Sequence, residues 1–68
     1  MNIVAVQKIL DDIKPEETVH VALMNGVVYS VFKADIDLAE EVMTVYPADG
    51  SLHRIAYNAI AEIFLETY

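Results

Sequence analysis

The sequence predicts an α+β fold in the order α-β-β-α-α: an N-terminal helix, a two-stranded antiparallel hairpin and two C-terminal helices. Three observations point to it. An apolar stripe at helical spacing precedes Pro15, an Asn25-Gly26 pair separates two β-rich runs, and a long apolar stripe at helical spacing begins at Leu52.

In the first element Val6, Ile9, Leu10 and Ile13 recur as one face of a helix, with Ile3 a turn earlier. Asn2 is placed to cap it. Pro15 disfavours helical geometry at Lys14 and supplies the stop, so the helix is expected over Asn2 to Ile13.

The hairpin is expected over Thr18 to Met24 and Val27 to Lys33. Asn-Gly is the pair that best tolerates positive φ at both central residues of a type I′ turn. That turn would set Leu23 opposite Val28, Val21 opposite Ser30 and Val19 opposite Phe32. One face would then carry Val19, Val21, Leu23, Val28 and Phe32, and the other Ala22, Met24, Val27, Tyr29 and Val31 with His20, Thr18 and Lys33, so neither is cleanly polar.

Asp37 followed by Glu40 fits a capping box and predicts a short helix from Leu38 to about Val45. Pro47-Ala48-Asp49-Gly50 makes a turn, and Ser51 caps the last helix, Leu52 to about Thr67. There Leu52, Ile55, Ala56, Ala59, Ile60 and Ile63 have core spacing. A second stripe, Tyr57, Ala61, Leu65 and Tyr68, runs beside it. No internal repeat, low-complexity tract or linker is read from the sequence.

Composition bounds the rest. The chain of 68 residues has room for one core, so residues 1–68 are expected to form a single small domain. Hydrophobic residues make up 56% and charged ones 22%, which argues against disorder. Cysteine is absent, which excludes disulfides and Cys-type zinc sites, and with histidine limited to His20 and His53 a His-dominated metal cage is not expected. Four basic residues against eleven acidic ones give a formal charge of −7, which opposes direct contact with nucleic acid phosphates. The N-terminus lacks the basic and apolar regions of a secretory signal, and no apolar run reaches the roughly 20 residues that span a bilayer. No membrane contact and a cytoplasmic location are the expectation.

No phosphate-binding glycine loop, nucleophile elbow, zinc-protease motif or cysteine nucleophile is present, so no catalytic residue, cofactor or metal is expected. His20 and His53 each lack an orienting partner in the sequence, and read as a hairpin-rim residue and a solvent-facing helix residue. Asp35, Asp37, Glu40 and Glu41 do not follow the calcium-loop pattern and read as a solvated helix start.

The expected function is therefore non-enzymatic binding. Apolar surface in excess of what so small a fold buries marks an interface. Self-association into a dimer or larger assembly is expected through Tyr29, Val31, Tyr57, Ala61, Leu65 and Tyr68. The acidic residues Asp11, Asp12, Glu16, Glu17, Asp35, Asp37, Glu40 and Glu41 form a second candidate surface, for a basic protein face. An alternative is a nucleic-acid mimic that inhibits a DNA- or RNA-binding protein. A weaker one is a small-molecule or enzyme site between subunits, using His20, Tyr29 and Arg54. In size, charge and element order the chain is similar to some small anti-CRISPR proteins, which implies a phage-type inhibitor and fixes no residue.

Overall fold

The computed structural model describes residues 1–65. The first helix and the two strands of the first hairpin form near their expected places, and neither C-terminal helix forms among the described residues. Helix α1 spans Ile3–Asp11, capped by the Asn2 side chain, which accepts a hydrogen bond from the Ala5 N–H at 2.8 Å. It buries Val6 and Leu10, and Ile13 just beyond it is buried as well.

After α1 the described residues are strands linked by turns: β1 Thr18–Leu23, β2 Val28–Phe32, β3 Ile36–Leu38, β4 Val42–Val45, β5 His53–Ala56 and β6 Ile60–Leu65. Short 3₁₀ turns at Lys33–Asp35 and Tyr57–Ala59 join β2 to β3 and β5 to β6. Two antiparallel three-stranded sheets result: sheet A in the order β2-β1-β6, and sheet B in the order β3-β4-β5. The expected α-β-β-α-α order, with one hairpin and two C-terminal helices, is overturned. So is the likeness of element order to small anti-CRISPR proteins.

Each misreading has a physical cause. The run Val42-Met43-Thr44-Val45 is rich in β-branched residues and forms the central strand of sheet B, burying Met43, Thr44 and Val45. The capping box does not form; Ala39 N–H donates to Val42 O at 3.0 Å and closes a tight turn into β4. In the last segment Ile55, Tyr57, Ile60 and Ile63 are buried at steps of two and three. The step from Tyr57 to Ile60 crosses a 3₁₀ turn, whose period is three. The step from Ile60 to Ile63 crosses a bulge: Leu23 pairs with Ile60 and Ala22 with Glu62, leaving Ala61 as the extra residue. Mixed steps of two and three imitate the helical 3.6.

The first hairpin also differs in its turn. Gly26 has φ 91°, but among the described residues no non-glycine residue has positive φ, so Asn25 cannot be part of a type I′ turn. The loop is three residues long, closed by Gly26 N–H to Leu23 O at 3.0 Å and Leu23 N–H to Val27 O at 2.8 Å. This shifts the register by one, setting Val21 opposite Tyr29 and His20 opposite Ser30. The faces are therefore sorted differently: Val19, Val21, Tyr29 and Val31 turn inward, while His20, Ala22, Val28, Ser30 and Phe32 turn outward.

The strands also reveal a repeat. Residues 18–41 and 42–65 each run strand, turn, strand, 3₁₀ turn, strand, and the interval from Gly26 to Gly50 also separates Val21 from Val45, Val31 from Ile55 and Ile36 from Ile60. The turns match in detail. Gly50 N–H donates to Pro47 O as Gly26 N–H does to Leu23 O, and Asp49 Oδ1 accepts from Ser51 N–H as Asn25 Oδ1 does from Val27 N–H. Each sheet takes two strands from one unit and the last strand from the other, so an approximate two-fold axis relates the sheets. Few identities survive between the units, which is why the repeat is invisible in the sequence.

Between the sheets and α1 lies one core cluster that includes Val6, Leu10, Val19, Val21, Met43, Val45, Ile55 and Ile60. The Met1 amine donates to Tyr57 O at 3.0 Å and Ile60 O at 3.1 Å, tying the start of α1 to the last 3₁₀ turn. No helix among the described residues is long and apolar enough to cross a membrane.

Candidate interaction surface

Alternation along the strands of sheet A sends every second side chain outward. Antiparallel register then lines these up in rows across the sheet: Val28, Ala22 and Glu62 in one, Ser30, His20 and Phe64 in the next, Phe32 and Thr18 in a third. Three large apolar side chains stand on this face, Val28 at 49% exposure, Phe32 at 51% and Phe64 at 40%. At its centre the His20 ring is stacked on Phe64, with centroids 5.1 Å apart, and His20 Nδ1 is 2.7 Å from Ser30 Oγ. His20 is thus clamped from both neighbouring strands.

Beside this face, Thr18, Ser30, Val31, Phe32, Asp35 and Ala48 line an open cavity of about 180 Å³. That is below the roughly 300–1,000 Å³ of ligand pockets, and it suits one side chain rather than an enclosed small molecule.

The residues expected to mediate self-contact are scattered. Val31 and Tyr57 are buried in the core. Tyr29 is half-buried against His53, with ring centroids 4.3 Å apart. Ala61 is exposed at the bulge of β6, Leu65 is half-buried, and Tyr68 lies outside the described residues. The stripe that grouped them was a property of a helix the chain does not form.

Two of the acid-bearing segments abut through their backbones. Ala34 N–H donates to Pro15 O at 3.1 Å and Lys33 N–H to Glu17 O at 2.9 Å, so the segment carrying Glu16 and Glu17 abuts the 3₁₀ turn that ends in Asp35. Asp11 and Asp12 are exposed at the end of α1, Asp37 is exposed on β3, and Glu40 and Glu41 are exposed in the turn before β4. Among the described residues no three acidic or histidine side chains cluster to hold a metal. Arg54 is exposed on β5, in the opposite sheet from His20.

Two side chains are tuned by their surroundings. Burial, and then the nearby Asp37 charge, raises the Tyr57 phenol above its ordinary value; its hydroxyl donates to Ala39 O and lies 3.2 Å from Val42 O. The Asp49 carboxylate is lowered, chiefly by the Ser51 hydroxyl at 2.6 Å and then the Ser51 N–H at 2.9 Å. Tyr57 thereby pins the β3–β4 turn from inside, and Asp49 fixes the β4–β5 turn.

Sequence reading missed the outer face of sheet A because its membership depends on the register. A type I′ turn sets Phe32 opposite Val19; the observed turn sets it opposite Thr18. The available signal was the alternation Val19, Val21 against Thr18, His20 in β1, which sorts that strand without reference to its partner.

No protein-family model matches the chain, and no curated protein or solved structure matches it significantly.

Proposed function

We propose that the chain is a small non-enzymatic interaction domain that binds protein through the outer face of sheet A. The observation that carries this reading is the grouping of Val28, Phe32 and Phe64 on one sheet face around a fixed His20. A ring held by Ser30 and Phe64 presents its shape without losing further side-chain freedom on binding, and apolar groups around it supply buried area. Exposed apolar groups gathered on one face mark interfaces more specifically than scattered ones do.

The test is solution mass by light scattering over a range of protein and salt concentrations, followed by capture of partners on the immobilised chain. Phe32→Ser and Phe64→Ser are expected to abolish the association found, whether with a second copy or with another protein. Val4→Ser, on the exposed side of α1, is expected to leave it intact. Association that survives both phenylalanine changes would overturn the reading, as would a monomer that captures no protein.

A second reading, a nucleic-acid mimic that inhibits a basic protein, is favoured by the backbone contact that brings the segment of Glu16 and Glu17 against the turn ending in Asp35. It predicts capture of basic proteins that weakens steeply with salt and is lost in a Glu16→Gln, Glu17→Gln variant.

A further inference from the structure

We propose that β2 is a docking edge for an extended, basic and apolar segment of a partner protein, which adds to sheet A as a further strand and places one lysine or arginine beside Asp35. The inference deepens the interaction reading above by naming the occupant.

Three observations carry it. First, β1 is the only strand neighbour of β2 among the described residues, so the other side of β2 is a sheet edge. Leu23 N–H bonds Val27 O, and in an antiparallel pair hydrogen-bonded residues alternate with residues whose N–H and C=O point away. The outward-pointing set on β2 is then Val28, Ser30 and Phe32. These residues also carry their side chains on the outer face, so backbone pairing and apolar contact are offered together, as in strand addition.

Second, the cavity beside this edge has Asp35, Ser30 and Thr18 as polar groups and Val31, Phe32 and Ala48 as apolar walls. A carboxylate among apolar walls receives a long cationic side chain, whose stem packs on the walls while its charge meets the acid. The formal charge of −7 favours a basic partner and opposes a second copy of the chain at this edge.

Third, the internal two-fold supplies a built-in comparison. The equivalent place in the other half has Arg54 for Ser30, Ala56 for Phe32 and Ala59 for Asp35. There Met24 N–H closes onto Ala59 O at 2.8 Å, whereas at the first place Tyr46 N–H bonds Asp35 O at 3.1 Å. Ala48, the counterpart of Met24, is left across the cavity from Asp35. The difference follows the register of the exchanged strands: Ile36 pairs with Val45, but Ile60 pairs with Leu23 rather than with Val21. One backbone plan thus carries an acidic residue and an aromatic one beside the cavity at one site, and Arg54 with two alanines in their places at the other.

The experiment is an amide-resonance titration of the whole chain with a capped heptapeptide of alternating valine and lysine, and with its valine–glutamate counterpart. The lysine peptide is expected to shift Val28, Ser30, Phe32 and Asp35, and the glutamate peptide to bind at least tenfold more weakly. Asp35→Asn is expected to weaken the lysine peptide at least tenfold. Ser30→Pro, which removes an outward N–H at an edge position that tolerates proline, is expected to abolish its binding. Arg54→Gln is expected to leave it unchanged. Binding that ignores both Asp35→Asn and Ser30→Pro would overturn the proposal, as would shifts placed elsewhere or β2 shifts that depend on protein concentration alone. If neither peptide binds while an association sensitive to Phe64→Ser persists, the docking edge is wrong and the interaction face stands; if that association is also absent, both fall.

Discussion

Tyr29 and His53 occupy the same position in the two halves of the chain, and their rings stack across the approximate two-fold with centroids 4.3 Å apart. The planes are 29° from parallel. Each half thus meets the other through its own copy of one site, although one copy is a phenol and the other an imidazole. A stacked pair contributes about 0.5–1.5 kcal/mol beyond its buried area. Tyr29→Leu and His53→Leu are expected to be non-additive by that amount in a double-mutant cycle read by urea denaturation.

The two turn glycines provide an independent check on the repeat. Gly26 and Gly50 have φ of 91° and 87°, and a Cβ added at either would meet nothing within 4 Å. The cost of alanine is therefore backbone strain alone, about 1–2 kcal/mol at each. Gly26→Ala and Gly50→Ala are expected to lower stability equally, within the error of chemical denaturation.

Tyr57 makes the fold sensitive to alkali. Its phenol titrates above the ordinary value, so the folded state favours the neutral form more than the unfolded state does. That contribution is complete below the unfolded value of about 10 and is lost as pH rises through the folded value. Tyr57→Phe is expected to remove this alkaline loss and to cost about 1–3 kcal/mol at neutral pH, since Ala39 O and Val42 O lose their donor. Denaturation midpoints between pH 7 and about 11 check both effects.

At the other end of the scale, Asp49 titrates below the ordinary carboxylate range because it accepts from the Ser51 hydroxyl and N–H. Its support for the β4–β5 turn is present above the unfolded value and is lost as pH falls through the folded one. In Ser51→Ala, carboxyl-carbon NMR is expected to find the Asp49 titration moved upward. An unchanged titration would show that the turn does not hold the carboxylate as described.

Two methionines separate this fold from the helical reading. Met43 is 0% exposed at the centre of sheet B, while Met24 is 74% exposed in the first hairpin turn. Met43→Ala is expected to cost about 2–5 kcal/mol, enough to unfold a chain this small, and Met24→Ala less than about 0.5 kcal/mol. Thermal melts of the two variants measure the contrast.

Parts of the molecule are legible in the sequence alone. The Asn2 cap, the stripe of Val6, Leu10 and Ile13, and the stop before Pro15 are all local, and α1 forms where they place it. The β-rich runs on either side of Asn25-Gly26 likewise form β1 and β2. Val42-Met43-Thr44-Val45 carried a strand signal too, in its β-branched residues, but the capping box just before it argued for a helix. The outer face of sheet A was not legible, because a single residue of register decides whether Phe32 shares a face with Val19 or with His20.

The sequence by itself determined what short range decides: the first helix, the glycine turns, the acidity and the supply of apolar side chains. Tertiary structure decided the rest. Strand pairing joins residues as distant as Val19 and Leu65, and no local pattern specifies such a partner. A bulge at Ala61 and a 3₁₀ turn at Tyr57–Ala59 break the alternation that would have announced β5 and β6. Both devices turn Ile60 and Ile63 inward at a spacing that a helix shares, so only burial against Val21 and Leu23 distinguishes the two folds.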